Sequence, residues 1–524
     1  MLNNCTIDVT PYDVSGLTKN PNFVNLNYTN QDFWSLKDRL VKFIEERFGP
    51  NGSVLPNTFN DFVESDLGIV LIENQAFIGD TLSFKIDQTA NEIYTDTVTE
   101  IENMFRIAKS HGFQPQPPIA ATSFWTGSII SPVTTELRIP TPVLLDYTAQ
   151  GTTVNLELFQ TDSQNNPLFG EDIVFPVGTT RINNVIGIEG VTTTTQFTGT
   201  GEVGQSYELP RFPVIFDSIT VKIDGIQWTQ VDFFTDSQPR REYRVEYDSD
   251  WRAFIIFGNN RSGLIPSPGS IIEVTSRVGG GTIGNIVVGT LVHQRQINVP
   301  GFLTTITANF TNYTTGKNGY NGDTIEDIRR KMPKYLRTQN RAVSGEDYKT
   351  FADQFATPYF GQVGKATAIL RNYGCAANIV DIYILALNGT DGLDDPSDDL
   401  KIALKEALEP KKMFTDFVCI RSGAVLSVDV SVDVTLDKFY RKFELEMKNK
   451  ISTRIDSFFS LNNWEFGQAL HGIDITKALA DLKDIQSVDV ALSTTDPNNS
   501  GSIVTAKFFE VIRPDQITIS FIYV

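Results

Sequence analysis

Between Gln31 and Ser110 apolar residues recur every third or fourth position, and Ile78, Leu82, Ile86, Ala90 and Ile93 fall on one face of a helix. A further helix turns Val98, Ile101, Phe105 and Ala108 inward. His111-Gly112 is its C-cap, and Pro115, Pro117 and Pro118 close the segment. From about Ala120 to Asn309 the period drops to two, with many Thr and Val and regularly spaced turn residues. Asp224-Gly225 predicts a tight hairpin, and Arg244–Tyr247 with Phe254–Phe257 predict another around Asp248–Trp251. This is the pattern of a β-sandwich or barrel-like domain over 119–310, with a possible insert at 151–205.

A glycine-rich break at Gly316–Asp323 leads to a short helix through Ile325, Ile328 and Met332, capped by Asp323 or Thr324 and stopped at Pro333. Ser344-x-x-Asp347 opens another, Asp347–Phe355, as a capping box with Asp in place of Glu. These define a helical connector over 311–372. Strand and helix alternate beyond it: strand Ile379–Leu387, helix Asp399–Glu409, strand Ala424–Leu436, helices Phe439–Phe459 and Ile475–Leu482. Strands Val488–Leu492, Ala506–Val511 and Ile517–Tyr523 follow. That order points to a ferredoxin-like α+β domain over 373–524, so with a mainly helical 1–118 the expectation is a multidomain α+β protein.

At 524 residues the chain exceeds one ordinary core, and 36 phenylalanines suit large buried surfaces. Its net charge of −19 argues against a nucleic-acid partner. Arg329, Arg330, Lys331, Lys334, Arg337 and Arg341 form a local basic run, read as a solvated helix face or a docking surface for an acidic protein. Cys5, Cys375 and Cys419 are too scattered for a disulfide framework, which fits a reducing compartment. Neither a secretory leader nor an apolar run of about 20 residues is visible, so no membrane insertion is expected.

Few residues are spaced for chemistry. Gly279-x-Gly281-x-x-Gly284 matches a dinucleotide fingerprint, but β-branched residues follow where the phosphate-binding helix should start. His111, His293 and His471 lie in three predicted domains, and none has metal-ligand spacing to another. The acids Glu64, Asp66, Glu73, Asp80 and Asp87 read as a solvated or partner-facing stripe. The loop Asn388–Asp399 lacks the EF-hand pattern and is explained by helix capping at Ser397 or Asp398. The expectation is no enzyme, no cofactor and no metal.

Three blocks carry a resemblance. The first is Glu64-Ser65-Asp66-Leu67-Gly68-Ile69-Val70-Leu71-Ile72-Glu73-Asn74-Gln75-Ala76, continuing to Arg106-x-Ala108-x-x-x-Gly112-Phe113-x-Pro115. The second is Phe257-Gly258-Asn259-Asn260-Arg261-x-Gly263-x-x-Pro266-x-x-Gly269, followed by Gly280-Gly281-x-x-Gly284-Asn285. The third runs Gly319-x-x-Gly322-Asp323-Thr324 to Arg337-Thr338-x-Asn340-Arg341-Ala342-Val343-x-x-x-Asp347-Tyr348. Trp464-x-Phe466-Gly467 follows near the C-terminus. In this order the chain resembles the baseplate J-like wedge family of contractile-tailed bacteriophages and related contractile injection systems. It departs at Gly258-Asn259-Asn260, where the family usually has Gly-Asp/Asn-Gly; Asn tolerates the left-handed backbone such a turn needs.

The resemblance implies a non-enzymatic structural protein of the tail baseplate, assembled in the host cytoplasm. It implies a homodimer that joins a smaller wedge protein, neighbouring wedges, and hub or spike and sheath-initiating proteins, and that rearranges on contraction. The Asp323–Tyr348 block is then expected to be a wedge-core or inter-domain joint, and the C-terminal domain the dimer contact. The alternatives are a carbohydrate-active tail protein using paired acids and a receptor-binding adhesin built on the β domain.

Overall fold

The computed structural model describes residues 29 and 31–523, less 60, 62, 64–65, 133, 150–151, 235–237, 290–291, 299–304, 373–377, 389–391, 481, 483–484 and 497–498. Glu64 of the acidic stripe, Cys5, Cys375 and part of the Asn388–Asp399 loop therefore lie outside the described residues. The chain divides into two compact units, Met1–Phe113 with Thr324–Arg329, and Gln114–Asp323 with Arg330–Val524.

The first unit is helical. Helix α1 (Phe33–Phe48) starts at a capping box between Asp32 and Ser35. Helix α2 (Leu67–Asn91) starts where Asp66 accepts from Gly68 N at 2.8 Å. The two helices meet through the Lys37–Glu73 ion pair (2.7 Å) and at Gly79, where a Cβ would lie 3.0 Å from Leu36. Helix α3 (Ile101–Ser110) buries Met104, Phe105 and Ala108 and ends with Gly112 at φ +72°, as its C-cap predicted. Arg329 donates to Thr95 O at 2.8 Å and Val98 O at 2.7 Å, so one member of the basic run closes a loop here.

Helix α2 holds a surprise. The face expected from Ile78, Leu82 and Ile86 is present, but these residues are exposed, as are Leu67, Leu71, Phe77 and Phe84. Ile69, Ile72 and Ala76 are buried instead. Apolar residues occur on several sides of the helix, interspersed with Glu73, Asp80, Lys85 and Asp87, and among the described residues α1 covers only a part of it.

In the second unit a six-stranded antiparallel sheet runs Val292–Asn298, Thr305–Asn312, Thr122–Ile129, Arg181–Glu189, Thr152–Gln160, Val143–Ala149 in spatial order. Its core centres on Trp125, Leu156, Leu158, Phe175 and Phe310. The segment 151–205, expected as a possible insert, supplies two inner strands here and the edge strand Val191–Thr198 of the next sheet. Its many threonines and polar turns mark the solvated side of strands, not a separate subdomain.

Two four-stranded sheets follow and face each other as a sandwich. One contains Thr220–Ile223 and Ile271–Val278, the other Glu242–Tyr247 and Ala253–Phe257. Val221, Ile223, Ile272 and Val274 from one meet Tyr243, Val245, Ile255 and Phe257 from the other. Both predicted hairpins form; Asp224 and Gly225 sit at φ +49° and +79°, as a primed turn requires.

Helix α4 (Ile325–Thr338) runs through Pro333 and does not stop there, because Ile328, Met332 and Tyr335 keep one apolar face in register across it. Helix α5 (Gly345–Asp353) has the predicted Ser344/Asp347 capping box. The connector is only partly helical: Gly361–Asn372 is a strand that pairs with Asn378–Asn388, under α5 and α6 (Asp398–Leu408). Strand Asp416–Ser422 then lies parallel to Asn378–Asn388.

The single ferredoxin-like layer expected over 373–524 is therefore divided between two sheets. The switch falls at Gly423, whose N–H donates to Ile384 O (2.8 Å) while Ala424 donates to Phe509 O (2.8 Å). A Cβ there would lie 2.8 Å from the Phe466 ring. The last sheet orders Ile485–Ser493, Ala424–Leu436, Glu510–Tyr523, under α7 (Glu444–Phe458) and α8 (Gly472–Leu479). Ala424–Leu436 alternates as its sequence does, with Val428, Val430, Val432 and Val434 buried.

Candidate functional site

The singled-out motifs of the second unit build separate local sites, each held by its own hydrogen bonds. The Gly258–Gly269 stretch folds on its asparagines: Asn259 Oδ1 accepts from Arg261 N (2.9 Å) and Ser262 N (2.8 Å), and Asn260 Oδ1 from Ile265 N (2.8 Å). Asn260 takes φ +64°, the left-handed backbone that asparagine tolerates and this turn needs. Gly258 has no room for a side chain, since a Cβ would meet Ser262 O at 2.2 Å. Pro266 O accepts from Gln205 Nε2 (3.1 Å), and Gly269 turns at φ +79°. We expect Gly258→Ala to cost about 2 kcal/mol or more in a urea titration, while Arg261→Ala, at an exposed position, moves stability by less than about 0.5 kcal/mol.

The glycine corner Gly279–Gly284 packs against the Gly316–Gly322 loop. Asn321 Oδ1 accepts from Thr282 N (2.9 Å), Asn285 Oδ1 from Gly319 N (3.1 Å), and Gly316 N donates to Ile286 O (2.7 Å). Gly281 adopts φ +118°, and a Cβ on Gly284 would lie 2.8 Å from Ala121. Only a three-residue 3-10 turn, Thr282–Gly284, follows, and the strand begins at Val292, later than the β-branched run suggested. A dinucleotide fingerprint needs a true helix at that point.

A buried charge cluster lies under the corner, and sequence reasoning missed it. Arg277 pairs with Glu157 and donates to Thr192 Oγ1 (3.0 Å) and to the carbonyls of Ile188 (3.1 Å) and Glu189 (3.1 Å). Glu189 accepts from Gly280 N at 2.6 Å. These residues are 120 and 91 positions apart, so no local pattern could signal them. Burial raises the Glu189 carboxyl from 4.5 to about 7, against the opposing pull of Gly280 N–H and Arg277.

The folded protein holds the Glu189 proton more tightly than the unfolded chain does. Its contribution to stability is thus fully present below pH 4.5 and lost as pH rises through about 7. Glu189→Gln keeps an acceptor for Gly280 and removes this dependence. The stability difference between variant and wild type should shift by about 2–3 kcal/mol in the variant's favour between those pH values, read by urea unfolding. A constant difference across the range would refute the assignment.

The third block and the C-terminal motif meet at a second cluster. Glu465, inside Trp464-x-Phe466-Gly467, pairs with Lys349 of α5 (2.9 Å) and with Lys365 (3.1 Å). Burial alone would raise Glu465, but the Lys365 and Lys349 ammonium groups outweigh it and hold the carboxyl down to about 2. Burial pushes Lys365 down and also works against charge on Lys349, which Glu465 and Asp353 nonetheless hold up. Asp353, raised by burial, accepts from Ala366 N at 2.7 Å.

Around this cluster Trp464 stacks on Phe459 at 5.6 Å, and Gly467 sits at φ +72° with its N–H on Glu510 O (3.0 Å). Tyr348 is fully buried and donates to Asp416 Oδ2 at 2.8 Å. Gln339 and Asn340 end α4 in left-handed geometry, and buried Ala342 donates to Lys411 O (2.9 Å). Asp347 Oδ2 accepts from Val343 N at 3.2 Å. Arg337 makes only a loose pair with Glu346 (3.9 Å), and Arg341 bonds Gln339 (3.0 Å); both arginines face solvent. Lys331 pairs with buried Asp323 at 2.5 Å, so the basic run is partly structural.

Among the described residues no group of three His, Cys, Asp or Glu side chains is placed to hold a metal ion. The buried acids Glu157 and Glu189 and the half-buried Glu465 all face fixed cations or backbone donors, which equips them to lock elements together.

No protein-family model matches the chain, and no curated protein matches it. A solved structure of the anti-feeding prophage (AFP) baseplate, 6-fold symmetrised, is similar over 93% of this chain and 98% of that one, at 10% identity and a TM-score of 0.37. A TM-score of that size establishes no shared fold.

Proposed function

We propose that this chain is a structural subunit of a contractile-tail baseplate, of the wedge kind. In this reading it dimerises, joins a smaller wedge protein, and links neighbouring wedges into a ring around the hub or spike and below the sheath. It rearranges when the tail contracts.

The carrying observation is the uncovered flank of α2. Leu67, Leu71, Ile78, Leu82 and Ile86 follow one side of the helix and are 44–74% exposed, with Phe77 and Phe84 beside them. Among the described residues nothing covers this flank, and in this reading the remaining cover comes from another subunit. The motif blocks support the reading, because they build joints between sheets. Glycine corners, caps and buried ion pairs fix how one sheet meets the next.

Arg337 and Arg341 remain available on the surface of the Asp323–Tyr348 joint, and Arg341→Ala is expected to impair assembly while the subunit stays folded. The purified chain, alone and with candidate baseplate partners, should form multi-subunit assemblies in light scattering and hydrolyse no glycan. A stable monomer that cleaves a polysaccharide would favour the carbohydrate-active alternative.

A further inference from the structure

We propose that the exposed arginines Arg240, Arg241 and Arg261, at one end of the sandwich, dock on the open face of the C-terminal sheet of a second copy of this chain. This rests on the assembly role above and names one of its contacts.

The three arginines share a single patch. Leu264, in the turn that carries Arg261, donates to Arg240 O at 2.8 Å, and the Phe234 ring lies against Gly263. Phe233 beside them is 65% exposed. Neighbouring Arg244 is paired with Glu246 (3.3 Å) and lies over both rings. Among the described residues Arg240, Arg241 and Arg261 have no ion pair and no side-chain hydrogen bond. Three exposed arginines held together on a chain of net charge −19 offer a docking point for an outside anion, and arginine with exposed phenylalanine is the composition of an interface core.

The chain carries the matching surface. Asp433 and Asp489 are direct cross-strand neighbours on the outer face of the last sheet, and both are exposed. Like charges directly opposite each other destabilise a sheet, and among the described residues neither has a cation. Asp429 lies two residues along the same strand face. The side chains between them, Ser431, Ser487 and Ala491, are short and exposed, so a partner can approach closely. Arginine forks fit carboxylates in pairs. Because the two patches differ, the contact runs head to tail and can close a ring. The overall negative charge disfavours a nucleic acid as the occupant.

The test is sedimentation of the full chain at about 50 mM and about 500 mM salt. The apolar α2 contact persists at high salt, so it reports separately on the assembly role. We expect an additional association at low salt only. Arg240→Glu/Arg241→Glu/Arg261→Glu and Asp433→Lys/Asp489→Lys should each weaken it at least about a hundredfold. Mixing the two variant chains should restore it. The arginine contact is overturned if the wild type shows no salt-sensitive step, if either variant retains it, or if the mixture fails to restore it. It is equally overturned if the arginines prove to bind a DNA duplex without affecting self-association. Loss of the high-salt association alone would instead count against the assembly reading.

Discussion

Replacing Leu71, Ile78 and Leu82 of α2 together by serine is expected to weaken association with other subunits on the order of a thousandfold. Each side chain gains about 1.5 kcal/mol or more when fully covered, and three such losses make that factor. The isolated subunit should be little affected, because these residues are already 58%, 44% and 59% exposed within it. Thermal unfolding of the separated subunit and light scattering of the assembly measure the two halves. Unfolding of the subunit would mean that the flank is covered within the chain. Unchanged association would mean that the flank is not an interface. The matched control is Ile72→Ser on the buried side of the same helix, which should destabilise the subunit itself.

The second large effect is expected at Glu465. Glu465→Ala leaves the Lys349 and Lys365 ammonium groups without their shared carboxylate, and Lys365 is 8% exposed. Removing one partner of a buried pair strands the other charge, at about 3–5 kcal/mol. The low end, about 3 kcal/mol, is expected because the Glu465 side chain keeps 31% of its exposure. Lys349→Ala should cost less, since Glu465 retains Lys365. The pH dependence has the opposite sign to that of Glu189. Glu465 is held down to about 2, so its contribution is present above 4.5 and lost as pH falls through about 2. Urea unfolding of both variants at neutral pH decides this, and equal stabilities would show that the cluster does not lock α5 to the C-terminal motif.

Local chemistry in this chain was legible, and long-range pairing was not. The alternation over Ala424–Leu436, the Asp224-Gly225 turn, the Ser344/Asp347 box and the Gly112 cap all depend on residues within a few positions of one another. Pro333 was misleading because a proline costs a helix one N–H, and the apolar face from Ile328 to Tyr335 outweighs that loss. The segment 151–205 looked inserted because sheet order is set by partners far away in the chain, such as Phe159 with Ile186 and Val274 with Thr195. The split at Gly423 has the same origin: its period-two strands fit either sheet until the pairing with Asn378–Asn388 is known.

The candidate site followed that division. The glycines and asparagines of the turns were picked out by type and spacing, and the structure gives several of them backbone that only such residues take readily. The charged residues that bind those turns together, Glu157, Glu189, Arg277, Lys349, Lys365 and Glu465, were not picked out. Each is an ordinary surface-type residue until its partner, roughly a hundred positions away, is brought beside it. The helical periodicity of α2 was correctly seen, yet periodicity cannot say whether an apolar face is covered by its own chain or by another.

The most direct test of the proposed assembly role is a cryo-EM map of a contractile particle assembled in the presence of this chain. The account predicts density for it in a ring around the central hub, with Leu71, Ile78 and Leu82 of α2 packed against a neighbouring subunit. Density at the fibre tips, or α2 facing solvent in the assembled particle, would contradict it.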